Sequence, residues 1–368
     1  MSDDCSLLDV YNSSFLSEYL QVGKWAVENK MPMSLTIELT PYCNFNCPMC
    51  YVHLTPGQAK EKGQHLTAAQ WLEIIRQFVD LGLLMVNISG GEPMLRPDFW
   101  EIYEGISEMG VVTNVFSNGY LIDEKVVERF KQYPPHRIKL SLYGGCDETY
   151  EKMCGVKHGF TRFCRAVDLL REAEIPFYVT SCIVKQNVED VPLMREFAET
   201  KKVRVNVSSA IASSTRGADT DPTGSRLDPA AAVAAMTPEA IKKAKHKPVK
   251  SLFECCGSYG RSGTITWNGH LQHCTYNENE FIALTEPYRI EDAWKHLWEM
   301  ADAIKLPVEC ASCPDAEFCH TCPGVMASDS GYMDRISPDI CRKAALIHKR
   351  YDEIMASEAQ NAETGDKE

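Results

Sequence analysis

Sixteen cysteines in 368 residues carry the most distinctive chemistry of this chain. Three stand close together in Thr40-Pro41-Tyr42-Cys43-Asn44-Phe45-Asn46-Cys47-Pro48-Met49-Cys50-Tyr51, a short loop directly after a β-rich run. Three thiolates can hold three corners of a [4Fe–4S] cube and leave the fourth iron open to a ligand that is not protein. A zinc ion would want a fourth Cys or His, for which His53 is the near candidate, so a zinc knuckle is the plainer alternative. Eight further Cys fall in the last third: Cys255, Cys256, Cys274, Cys310, Cys313, Cys319, Cys322 and Cys341. Cys310-Ala311-Ser312-Cys313 and Cys319-His320-Thr321-Cys322 pair two C-x-x-C units, whose bare reading is a zinc ribbon. The gap between the units is short for a ribbon, however, and other Cys flank them on both sides. Between Cys256 and Cys274, Asn268-Gly269 marks the turn of a hairpin.

The elements that must hold these residues follow from periodicity. β-rich runs at 34–40, 84–89, 111–117, 137–142, 177–184 and 202–208 alternate with helical patterns, clearest at 67–81, where Trp71, Ile74, Ile75, Phe78 and Val79 share one face. Leu66-Thr67 supplies a cap for that helix. Such alternation makes βα units and a parallel sheet. Six units are short of a closed eightfold barrel, so the expected fold is α/β, an open partial (β/α)6 barrel. The cysteine loop then lies at the C-terminal end of the first strand, the working face of such barrels. Around it we expect a helical lead-in over 1–33, the barrel over 34–211, a linker over 212–250 with an Ala-rich helix at 229–244, a small Cys-rich domain over 251–350 and a disordered tail over 351–368.

Composition narrows the class. Hydrophobic residues are 44% and charged residues 24%, ordinary for a soluble globular chain. A net charge of -13 has the wrong sign for a general nucleic-acid binder. The start, MSDDCSLLDV, has no apolar signal segment, and no apolar run approaches the ~18 residues of a membrane span. The expectation is a cytoplasmic protein without membrane or nucleic-acid partners, whose cysteines serve metals or catalysis rather than disulfides.

The spacing Cys43, Cys47, Cys50 followed by Tyr51 resembles the motif of the radical S-adenosylmethionine (SAM) superfamily. Ser89-Gly90-Gly91-Glu92-Pro93 ends the second strand, where that family receives the amino group of SAM; two glycines permit close backbone approach and Glu92 offers an ammonium a negative neighbour. Ser117-Asn118-Gly119 ends the third strand, where a polar residue of the family meets the ribose. Ser141 ends the fourth and faces SAM or substrate in relatives. Thr180 and Asn206 lie on the next two strands and could reach the same pocket.

The C-terminal cysteines resemble the SPASM domain appended to many of these enzymes, with Gly269 and Cys274 fitting its Gly-then-Cys element. The resemblance implies that Cys256, Cys274 and Cys322 hold one auxiliary cluster, with Cys255 an alternative or additional ligand or the fourth iron left open. It assigns Cys310, Cys313, Cys319 and Cys341 to a second. It further implies an oxidoreductase or maturase that takes an electron from a flavodoxin or ferredoxin and reductively cleaves SAM to a 5′-deoxyadenosyl radical. That radical takes hydrogen from a substrate, with a ribosomal peptide or protein preferred and a tetrapyrrole or other small molecule as the runner-up. A non-catalytic metal-binding protein is the rival from another class. Thr275 stands where the sulfatase-maturing group usually has an Asp base. Of the remaining cysteines, Cys164 and Cys182 read as small buried hydrophobes, and Cys146 and Cys154 as loop residues near the active face. His270, His273 and His320 read as surface or outer residues of the cysteine field, and Trp267 as packing beside a cluster.

Overall fold

In the computed structural model, alternation along short strands builds a barrel wall with an apolar outside and a polar inside. The structure describes residues 13–213, 216, 221–234, 236–254, 256–257, 259–277, 279–319 and 322–365; Cys5, Cys255 and His320 lie outside them. Helix α1 (Ser13–Glu28) leads into β1 (Ser34–Glu38). After the cysteine loop come α2 (Pro56–Lys62) and α3 (Ala68–Asp80), then β2 (Met85–Ser89), α4 (Phe99–Glu108), β3 (Val112–Ser117) and α5 (Glu124–Gln132). Strand β4 (Arg137–Ser141) is followed by α6 (Asp147–Cys154) and α7 (Gly159–Glu172), and β5 (Phe177–Cys182) by α8 (Val191–Thr200) and β6 (Val205–Ser208). The C-terminal part comprises α9 (Pro229–Ala234), α10 (Pro238–Lys243), β7 (Ser262–Ile265), β8 (His270–Gln272), β9 (Phe281–Ala283), α11 (Ile290–Ala303), α12 (Val308–Ala311), α13 (Pro323–Ser330) and α14 (Pro338–Gly365).

The sheet order is β6-β5-β4-β3-β2-β1-β7-β8-β9. The first six strands are parallel to their neighbours, giving the partial (β/α)6 barrel expected. Leu35, Ile37, Val86, Ile88, Val115, Ile138, Leu140 and Val179 are fully buried on the helix side. Helix α3 adds Trp71, Ile74, Ile75 and Phe78 to the same core, with Phe99, Ile102 and Ile106 from α4 and Phe163 and Val167 from α7; full burial of each such side chain contributes roughly 1.5–3 kcal/mol. Helix α3 starts where Thr67 and Gln70 form a reciprocal capping box. The inner positions are polar: Asn114 Nδ2 donates to Asn87 Oδ1 at 2.9 Å and Asn87 Nδ2 to Thr36 Oγ1 at 3.5 Å, a rung across three strands.

Three features differ from the sequence reading. The hairpin does form, with antiparallel β7 and β8 turning at Gly269 (φ 82°), but β7 also pairs in parallel with β1, so the C-terminal part extends the barrel's own sheet. The Ala-rich helix is two short ones, because Thr237 caps a new start and Pro238 cannot continue the old helix. The tail is helical as far as Gly365, where a disordered segment was expected over 351–368. The run of Ala, Glu and Gln has high helix propensity, and Ile347, Tyr351 and Ile354 anchor the helix on Phe318, Val233 and Ile241.

Candidate functional site

The cysteine loop and the Gly-Gly-Glu segment are joined backbone to backbone. Gly91 N donates to Thr40 O at 2.7 Å and Glu92 N to Tyr42 O at 2.9 Å. Gly90 sits at φ 134°, and a Cβ there would come within 2.5 Å of Thr40 O; one on Gly91 would collide with the Tyr42 carbonyl. The glycines therefore serve the approach of β2's end to the cysteine loop itself. Behind the loop, Phe45 is buried against Tyr120, Tyr143 and Tyr150. This apolar wall explains the thiols. Burial, first of all, holds Cys43 well above its usual range and pushes Cys50 up to about 11, with neighbouring thiols adding to both: Cys50 and Cys47 at Cys43, and Cys47 at Cys50. Cys47 is raised chiefly by its hydrogen bond with Cys154 and then by burial. Cys154 was expected in a loop; it closes α6 with its side chain buried against the cysteine loop.

Glu92 is fully buried between β2 and β3. Ser117 Oγ donates to its carboxylate at 3.0 and 3.2 Å, Asn118 N at 2.9 Å and Met94 N at 3.3 Å. All these donors are neutral, and burial raises the carboxyl to about 7. Asn118 Nδ2 donates to Asn44 Oδ1 at 2.9 Å and lies 3.7 Å from Cys43 Sγ. Ser117 and Asn118 thus hold Glu92 and the cysteine loop together. The buried Asn44 Nδ2 has no protein partner. Three gathered thiols, a carboxylate with only neutral donors and an idle amide donor beside Cys43 fit an iron–sulfur cluster and a cationic amino-acid ligand.

The later cysteines gather in two sets. Cys274 interacts electrostatically with Cys322 and Cys256. Cys310 does so with Cys319, Cys341 and Cys313. Burial pushes Cys274 up to about 11. Among the described residues no three His, Cys, Asp or Glu side chains converge on one point as ligands of a single ion; cubane ligands each take a different iron and need not converge.

Between the first cysteine loop and Cys274 lies a polar group that sequence reasoning missed. Glu38, at the end of β1, and Arg216, in the linker, are 1% and 2% exposed. They form a two-pronged ion pair, both contacts at 2.8 Å, and Thr275 Oγ1 donates to Glu38 at 2.7 Å. Tyr51 is enclosed here, hydrogen-bonded with Thr275, its ring edge-on to Tyr276 at 5.3 Å. A charge in line with the neutral inward residues Ser34 and Thr36 of β1 was the available signal for Glu38; Arg216, in a polar loop, offered none.

The other expected residues divide. Ser141 pairs in register with Thr180 and Thr180 with Asn206, along the inner face. Trp267 packs on Tyr42 and Leu54, so it backs the first cysteine loop. His273 is buried against the Leu297 carbonyl at 2.6 Å, and His270 stacks on Phe281. Cys182, expected as buried, is exposed at the end of β5, and Cys164 is half-buried.

Fold and site together define an α/β barrel protein with a thiol-rich mouth. The radical SAM superfamily model matches residues 37–198, so this stretch, under half of the chain, is a radical SAM domain, a family that uses a [4Fe–4S] cluster and SAM. The PqqA peptide cyclase of Granulibacter bethesdensis is 33% identical over 168 residues, 46% of this chain and 44% of that protein. The AdoMet-dependent heme synthase of Methanosarcina barkeri is 29% identical over 168 residues, 46% of this chain and 47% of that one. The chain thus spans under half the length of these curated relatives. Streptococcus suis SuiB bound to precursor peptide SuiA superposes with a TM-score of 0.64 at 17% identity, over 93% of this chain and 84% of that one. Among the described residues no helix is long and apolar enough to cross a membrane.

Proposed function

We propose that this chain is a cytoplasmic radical SAM enzyme with a SPASM region over 251–350 that oxidises or cross-links a ribosomal peptide or protein segment. The observation that carries the reading is the gathering of the cysteines into three sets, one of them beside the buried Glu92. Cys43, Cys47 and Cys50 would hold the cluster that binds SAM. When bound, that cluster supplies the electron, taken from a flavodoxin or ferredoxin, that cleaves SAM to a 5′-deoxyadenosyl radical able to remove hydrogen from substrate. Glu92 holds the amino group of SAM, while Gly90 and Gly91 keep Glu92 against the cysteine loop. Ser117 and Asn118 fix that carboxylate, and Tyr51 and Ser141 border the chamber. Phe45 and the tyrosines around it exclude water. Cys256, Cys274 and Cys322, with Cys255, would hold one auxiliary cluster; Cys310, Cys313, Cys319 and Cys341 would hold the other.

The peptide substrate is supported by the relationship to a peptide cyclase. A tetrapyrrole substrate is the second reading, supported by the relationship to a heme synthase. Iron, sulfide and zinc per chain after anaerobic reconstitution test the assignment: about twelve iron and little zinc are expected for three cubane clusters. About four iron with one zinc would sink the SPASM assignment. Release of 5′-deoxyadenosine that rises on adding peptides, and not porphyrins, would favour the first substrate class.

A further inference from the structure

Strand β4 brings positive charge into the barrel that no neighbouring acid neutralises. Arg137, Lys139 and Ser141 alternate along its inner face, in a protein whose overall charge is -13. Across the sheet Lys139 is in register with Phe116 on β3 and Tyr178 on β5. Its ammonium lies 4.5 Å from the centre of the Phe116 ring and within electrostatic reach of Cys182, at the open end of β5. Among the described residues neither Lys139 nor Arg137 has a carboxylate at ion-pair distance. Glu38, on the inner face of β1, is occupied by Arg216 and Thr275. An ammonium taken from water without a counter-ion is costly, and a bound anion removes the cost.

We propose that Lys139 receives a carboxylate of the substrate, an acidic side chain of the peptide. This deepens the proposed function and rests on it. SAM brings a carboxylate too, but on the same carbon as its amino group, and so at the Glu92 end of the site. Lys139 instead leans toward Cys182, which in turn interacts with Tyr276 beneath the C-terminal hairpin. Cys182 is exposed at the end of β5, so this side of the chamber is open to solvent and away from Glu92 at the end of β2.

A charge-assisted hydrogen bond discriminates by about tenfold or more. The test uses the full-length, cluster-loaded protein with SAM bound, and two short acetylated and amidated peptides that differ only in one Glu or Gln. Equilibrium binding should show the Glu peptide at least about tenfold tighter on the wild type. The preference should vanish in Lys139→Met and partly return in Lys139→Arg, with SAM affinity unchanged in both. The idea is overturned by the absence of any Glu preference in the wild type, which needs no variant, or by a preference that survives Lys139→Met. It is also overturned if SAM binding weakens tenfold in Lys139→Met, since the carboxylate received would then be that of SAM. Binding is read apart from turnover. A wild type that prefers the Glu peptide but never cleaves SAM would defeat the enzymatic reading and leave the carboxylate site standing.

Discussion

A carboxylate buried among neutral donors is the most telling single residue of the site. Burial raises Glu92 to about 7, above the value near 4.5 it has in the unfolded chain. The folded protein therefore holds that proton more tightly, so the stability it contributes is full below pH 4.5 and is lost as pH rises through 7. In the cluster-free and SAM-free chain, Glu92→Gln should erase this component. The difference in Tm between variant and wild type should move in favour of the variant from pH 4.5 to 7 and level off above. The same variant should bind SAM about tenfold more weakly, because it no longer presents a charge to the ammonium. A variant weaker in stability at pH 8 would contradict the assignment of Glu92 as a strained, cation-seeking group. The thiols give a second prediction at this scale. Burial holds protons on Cys43 and Cys50, and iron must displace them. Iron uptake by the first site should therefore rise between pH 7 and pH 9, measured as iron bound per chain in variants lacking the two later cysteine sets.

At the scale of elements, β1 and β2 make the site by touching at their ends. Gly91→Ala places a methyl in the Tyr42 carbonyl, the acceptor of the Glu92 N–H, and so forces the end of β2 away from the cysteine loop. We expect a cost of at least 1–3 kcal/mol, with loss of about four iron per chain and of SAM binding. Gly57→Ala, in the open first turn of α2 with nothing within 4 Å, is the matched control and should keep both. Iron content in the two variants decides this. Such end-to-end contacts also mark the limit of what the sequence reveals. The six βα units were legible because each strand alternates and each helix carries a stripe, as α3 does. That the Cys43, Cys47, Cys50 loop and Gly90-Gly91-Glu92 lie together at strand ends was legible because each is a short run of distinctive residue types directly after a strand. Which cysteines Trp267 accompanies was not legible, since its contact with Tyr42 joins positions more than two hundred residues apart. The pairing of β7 with β1 is a non-local contact of the same kind. The helical tail was misread because a polar, Ala- and Glu-rich run suits both a solvated helix and a disordered segment until its partners, here Phe318 and Val233, are known.

Across the whole molecule, barrel, linker and C-terminal part meet at one buried ion pair. Glu38 comes from β1, Arg216 from the linker and Thr275 from the segment after Cys274. Each charge is tolerable in the interior only while the other is present, so removing one partner leaves an unpaired buried charge, at a cost of about 3–5 kcal/mol. Arg216→Met should cost that much in urea unfolding, whereas the double variant Glu38→Gln/Arg216→Met should recover a good part of it, because neither charge is then stranded. The coupling energy between the two positions is the quantity to measure. The consequence extends beyond stability. Thr275 follows Cys274 directly, and Tyr51 follows Cys50, so both the first cysteine set and the Cys256, Cys274 and Cys322 set are aligned through this network. In Arg216→Met, iron should be lost first from those two sets, while the set of Cys310, Cys313, Cys319 and Cys341 keeps its share. Equal loss from all three sets would mean that the pair stabilises the fold in general and does not specifically align the two facing sets.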